Sequence, residues 1–144
     1  MKKMNKLNPY LNFNGTCEQA FNFYKSVFGG EFLGGVYKMK DAQGMPVPEE
    51  AKELVMHVGL PIGKDTLMGS DTFPGRPFAV GNNNYISIFP ESKEEADRLF
   101  TALSEGGKVE VPLQDQFWGD YYGSFTDKFD VCWMINYNEE NLQK

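Results

Sequence analysis

The stretch FWGDYYGSFTDKFDVCWMINY, residues 117–137, decides the fold. Bulky β-formers fill two arms, Phe117, Trp118, Tyr121, Tyr122 and Phe125 in the first and Val131, Trp133, Ile135 and Tyr137 in the second. Thr126, Asp127, Lys128 and Asp130 supply the turn chemistry between them, so the pattern predicts an aromatic β-hairpin. A buried Trp or Tyr carries one polar atom that needs a partner, which suits the wall of a cavity as well as a core.

Upstream of this hairpin one unit occurs twice. Residues 7–13 (LNPYLNF) alternate Leu7, Pro9, Leu11 and Phe13 against Asn8, Tyr10 and Asn12, the period of a strand with one polar face. Thr16 with Gln19 forms a capping box. Ala20, Phe23, Tyr24, Val27 and Phe28 then recur at helical spacing until Gly29 and Gly30. Residues 31–39 read as a strand, 40–53 as an exposed loop, and 54–60 with 65–70 as a hairpin across 61–64. After an irregular loop at 71–83 the order restarts with a strand at 84–89. Ser92 with Glu95 makes a second capping box, and Ala96, Leu99, Phe100 and Leu103 fall 76 positions after Ala20, Phe23, Tyr24 and Val27. Each half reads strand, helix, three strands. Neither half buries both sheet faces alone, so the α+β reading is of one domain, 1–144, built from two paired βαβββ modules at about 5–71 and 82–138 with a concavity between them.

At 144 residues one domain has enough chain for a real core. The formal charge of −6, from 20 acidic and 14 basic residues with no basic cluster, gives no footprint for nucleic acid or an anionic membrane. No signal peptide or spanning segment is read, so a cytoplasmic location is expected. Cys17 and Cys132 form no CxxC pair and are expected to be free thiols.

The segments at 7–32 (LNPYLNFNGTCEQAFNFYKSVFGGEF), 54–60 (LVMHVGL), 66–71 (TLMGSD) and 117–136 together resemble the vicinal oxygen chelate superfamily of glyoxalases, bleomycin resistance proteins and dioxygenases. Within it the chain is similar to PhnB-like proteins, which are also labelled 3-demethylubiquinone 3-methyltransferase. Nothing here reads as the strand, Gly-rich turn and helix that would hold a methyl donor. The resemblance implies a cup-shaped curved mixed sheet and a homodimer. Where the family's hairpin turn carries Gly this chain has Asp130, a residue that tolerates a left-handed backbone.

In metal-dependent members the resemblance places four ligands on the first and fourth strands of each module, which correspond here to Asn8, Met68, Asn84 and Met134. None is His, Asp or Glu, and the chain has one histidine, so loss of the metal is expected, with no cofactor in its place. That histidine, His57, alternates with Met56, Val58 and Leu60 and so faces away from their apolar side. A hydrogen-bonded strand histidine is preferred over a general base, for which Asp71 would be the orienting carboxylate. A Ser70, His57, Asp71 system lacks a nucleophile elbow. Arg76 has the geometry to clamp an anion. Tyr10, Phe117, Trp118, Tyr121 and Trp133 offer rings either to a planar or cationic ligand or to the core, and Asn8, Asn12 and Asn84 offer uncharged donors and acceptors. The expectation is a metal-free binder of a small organic molecule, with an enzyme using His57 as base or ligand as the alternative.

Overall fold

The computed structural model describes residues 6–139. Outside that range lies residue 5, where the first module was expected to begin. The chain divides into two compact units, Met1–Phe78 and Ala79–Lys144.

The first unit runs β1 (Tyr10–Phe13), α1 (Cys17–Phe28), β2 (Tyr37–Lys38), β3 (Val55–Ile62) and β4 (Asp65–Asp71), in the sheet order β1-β4-β3-β2. β1 pairs parallel to β4, and β3 antiparallel to both its neighbours. The second unit repeats it: β5 (Ile86–Ile88), α2 (Lys93–Ser104), β6 (Lys108–Asp115), β7 (Tyr121–Thr126) and β8 (Cys132–Tyr137), ordered β5-β8-β7-β6. Both helices have 12 residues, and they start and end 76 positions apart, 17 to 93 and 28 to 104. The repeat read from the two amphipathic stretches therefore extends to the whole topology.

Each helix covers one face of its own sheet. From α2, Ala96, Leu99, Phe100 and Leu103 are buried as their spacing predicts, against Phe125, Trp133 and Ile135. From α1, Cys17, Ala20, Phe21, Tyr24 and Val27 are buried, whereas Phe23 and Phe28 are only half-buried. Phe21 takes the inner position because β4 offers it Gly69. A Cβ at Gly69 would lie 2.5 Å from the Phe21 ring, and one at Gly123 in β7 would lie 2.7 Å from the Phe100 ring. Each sheet thus omits one side chain so that a helix phenylalanine can lie on its backbone.

Several boundaries differ from the sequence reading. The strand expected over 31–39 shrinks to Tyr37–Lys38, because Gly34 and Gly35 turn through φ of 69° and 76°. The 40–53 loop holds two 3-10 turns, Met39–Asp41 and Glu49–Ala51. Phe117 and Trp118, expected in the first hairpin arm, sit in the turn before β7, where Gly119 N–H donates to the Gln116 carbonyl. The hairpin proper is β7 with β8, closed by Asp127 and by Asp130 at φ 69°, the left-handed turn position anticipated for that aspartate.

The helix starts differ too. Ser92 Oγ accepts from Glu95 N–H at 3.1 Å, as the second capping box requires. Thr16 makes no side-chain cap. Asp71, at the far end of β4, accepts instead from the N–H groups of Gly15 (2.9 Å) and Cys17 (3.0 Å) with one oxygen and Val55 (2.9 Å) with the other. A buried carboxylate accepts three backbone donors at once, among them the orphan N–H of Cys17 at the helix start, which a threonine hydroxyl cannot match.

Candidate functional site: the helix-free face of each sheet

Strand alternation puts Phe13, Val58, Leu60 and Leu67 of the first unit under α1 and leaves the intervening residues on the face without a helix. On that face Tyr10 pairs with Met68 and Asn12 with Ser70 across β1 and β4, and Gly59 pairs with Met68 across β3 and β4. His57, two residues before Gly59, therefore shares it. The Tyr10 hydroxyl lies 3.3 Å from His57 Nδ1, with the two ring centroids 5.8 Å apart. Ser70 Oγ donates to Asn12 Oδ1 at 3.2 Å. His57 Nε2 reaches over the bare Cα of Gly59, where an added Cβ would lie 4.0 Å from it. Four of the sequence candidates thus converge, Tyr10, Asn12, His57 and Met68, joined by Ser70.

Asp71 does not orient His57. It belongs to the helix-covered face, and both its oxygens are taken by backbone N–H groups. The Ser70, His57, Asp71 arrangement therefore does not assemble, and the group on the imidazole is a phenol. Asn8 precedes β1, where its Oδ1 accepts from Thr66 N–H at 3.3 Å. Arg76 lies exposed in the 72–85 loop.

In the second unit the same alternation sends Trp133 and Tyr121 under α2. Trp133 is 1% exposed, and its indole N–H donates to Asp127 Oδ2 at 2.8 Å. The Tyr121 hydroxyl donates to Asp97 of α2, a bond that pushes its pKa up to about 12. Both rings are core and helix-face elements, not part of the polar face. That face carries Ser87, Tyr122, Ser124, Thr126, Cys132, Met134 and Asn136, as the pairings Ser87 with Met134, Ser124 with Met134 and Tyr122 with Asn136 require. Asn84 is exposed ahead of β5, its Nδ2 donating to Asn83 Oδ1 at 3.1 Å.

Trp118 stands at one end of this face, half-exposed, its ring centroid 6.0 Å from Tyr122 and 5.0 Å from Phe117. Its indole N–H is held by Asp120 Oδ2 at 3.0 Å. Asp120, only 4% exposed, also accepts from the amides of Asn136 (3.3 Å) and Asn138 (2.6 Å). The aromatic platform is fixed by a buried carboxylate, while the Oδ1 of Asn136 is buried without a partner among the described residues.

Glu110 was not found by sequence reading. Its carboxylate accepts from the hydroxyls of Tyr85 at 2.8 Å, Thr126 at 3.0 Å and Ser124 at 3.5 Å. Thr126 Oγ1 in turn lies 3.6 Å from Cys132 Sγ. The hydrogen bond to Glu110 pushes the Tyr85 phenol up to about 12. No spacing links residues 85, 110, 124 and 126; only the sheet brings them together. Beside them is a hollow of about 370 Å³ lined by Val80, Gly81, Asn82, Thr126, Asp130 and Cys132.

The residues at the expected metal positions do not fit a catalytic divalent ion. They offer two amides, both engaged locally, and the thioethers of Met68 and Met134. Among the described residues no three His, Cys, Asp or Glu side chains are placed to share a metal.

Comparison with known proteins gives one consistent assignment. The model of the glyoxalase/bleomycin resistance protein/dioxygenase superfamily matches residues 6–135. The Escherichia coli protein YjdN is 33% identical, the match covering 90% of this chain and 93% of YjdN. The crystal structure of PA1353 from Pseudomonas aeruginosa is 40% identical with a TM-score of 0.84, covering 94% of this chain and 98% of that one. A Bacillus cereus structure described as a putative 3-demethylubiquinone-9 3-methyltransferase, PhnB protein, shares the fold at 24% identity, with a TM-score of 0.75 over 92% of this chain and 99% of that one.

Proposed function

Because this chain belongs to the glyoxalase/bleomycin resistance protein/dioxygenase superfamily, we propose that it is a homodimeric protein that binds a small organic molecule on its polar, helix-free sheet faces without a metal ion. The observation that carries this reading is the convergence of Tyr10, Asn12, His57, Met68 and Ser70 on a face no helix covers. These groups donate and accept hydrogen bonds beside a ring and a polarisable thioether, the composition of a site for a polar, largely uncharged ligand. Trp118, pinned by Asp120, adds a stacking platform at the second sheet.

A fragment screen followed by amide chemical shifts tests it. Binders are expected to shift Tyr10, Asn12, His57 and Ser70, and Tyr10→Phe with Asn12→Ala is expected to weaken them about tenfold or more. Stoichiometric metal in the purified protein, with binding lost on its removal, would sink the reading.

A second reading is an enzyme with His57 as base. The Tyr10 contact at Nδ1 favours it, because one fixed ring nitrogen leaves Nε2 over Gly59 for a substrate proton. Here His57→Gln would remove turnover and keep binding. The methyltransferase description of the Bacillus cereus protein is not carried over: both sheets are mixed, and the β1 to α1 connection has a single glycine, Gly15, where a methyl-donor site needs a Gly-rich turn.

A further inference from the structure

We propose that Glu110 is the counter-ion for a compact organic cation, a protonated primary or secondary amine, seated on the helix-free face of the second sheet. This names a ligand class for the second sheet, separate from the uncharged groups read for the first, and rests on the small-molecule reading above.

The argument begins with the backbone. In the β6–β7 ladder Val109 pairs with Phe125 and Val111 with Ser124, so Glu110 is the extra residue of a β-bulge. A bulge re-aims the side chain it carries. Glu110 is turned across the sheet and reaches Thr126 and Ser124 on β7 and Tyr85 just before β5. These three hydroxyls hold the carboxylate in place and bring no charge to it. Among the described residues no lysine, arginine or histidine nitrogen is paired with Glu110, although Lys108 opens the same strand. The Tyr85 phenol stays protonated across the neutral range and continues to donate.

The result is a carboxyl group that three hydroxyls orient and no basic side chain among the described residues pairs with. Tyr85 and Ser124 share Oε1, and Thr126 alone binds Oε2, so Oε2 retains room for a further donor. An ammonium N–H fits that vacancy in hydrogen bonding and in charge. The half-exposed rings of Tyr85 and Tyr122 offer π-faces of the kind that attract cations. The adjoining hollow shares Thr126 with this group and includes a second carboxylate, Asp130, but no basic side chain. Its volume of about 370 Å³ suits a small organic body attached to the amine.

The test compares phenethylamine with 2-phenylethanol, which matches it in shape and lacks the charge, by titration calorimetry at low salt on the full chain, on Glu110→Gln and on Tyr85→Phe. The amine is expected to bind about tenfold tighter than the alcohol. Glu110→Gln is expected to erase the preference and leave the alcohol unchanged. Tyr85→Phe, which removes one orienting hydroxyl, is expected to reduce the preference and keep the melting temperature close to that of the parent. Equal affinities, a preference that survives Glu110→Gln, or no binding of either compound at millimolar concentration would overturn the counter-ion role. Binding of the alcohol with no amine preference would do so while leaving the small-molecule reading standing.

Discussion

Three aspartates, Asp71, Asp120 and Asp127, are each at most 5% exposed, and each is wired to N–H donors. Asp127 takes the backbone of Phe129 and Val131 together with the Trp133 indole. Removing such a carboxylate strands buried donors, a loss larger than that of the bonds alone. Asp71→Ala is therefore expected to cost about 3–5 kcal/mol in urea unfolding, against roughly 1 kcal/mol for Thr16→Ala, whose hydroxyl caps nothing. The Thr16 and Gln19 capping box was legible in sequence and still did not form, because its competitor stands some fifty residues downstream and offers two oxygens to three backbone N–H groups. A second residue-scale prediction concerns ionisation. Tyr85 and Tyr121 are held protonated to about 12, above the ordinary value of 10.0, by Glu110 and Asp97. A phenol whose folded pKa is raised stabilises the fold fully below about 10 and loses that contribution as pH rises through about 12. Absorbance titration at 295 nm should show Tyr85 among the late-titrating phenols, that late component shrinking in Tyr85→Phe.

Elements with strong local pattern were read correctly, and those shaped by glycine or by a neighbour were not. α2 follows its spacing at every buried position, and β7 and β8 form the hairpin their aromatic residues announce. Alternation also placed His57 opposite Val58 and Leu60. It could not show which face of the hairpin received the helix, so Trp133 and Tyr121, rings of the right kind for a ligand, proved to be packed under α2. The bulge at Glu110 left no trace in the residue pattern, since one extra residue changes register without changing composition. The glycines within strands were the unread packing signal. Gly123→Ala is expected to destabilise by about 1–3 kcal/mol, because its methyl group would meet the Phe100 ring at 2.7 Å and Leu113 backbone at 2.8 Å. The double variant Gly123→Ala with Phe100→Leu should recover part of that loss, as thermal melting would show.

At the scale of the whole molecule, duplication of βαβββ was readable from two helices and the order of strands. The site was only partly readable, because its members come from separate strands and are joined by register, not by spacing. The proposed homodimer makes a direct prediction: sedimentation equilibrium should return twice the chain mass. Phe117, 98% exposed, supplies an apolar ring for such an interface, and a single species at the monomer mass would remove it.

The two helix caps also set an order of events in time. Ser92 lies beside the helix it starts, so α2 can complete its first turn as soon as that segment becomes helical. The start of α1 must wait for Asp71, which arrives only when β4 is laid beside β1 and β3. Closing that long loop costs entropy before any contact rewards it. Two modules of one topology should therefore mature at different stages, the second early and the first late. Stopped-flow measurements should find that Ser92→Ala mainly slows folding and Asp71→Asn mainly hastens unfolding. A duplicated architecture would then carry, in the position of one carboxylate, a distinction between its halves that their common strand order conceals.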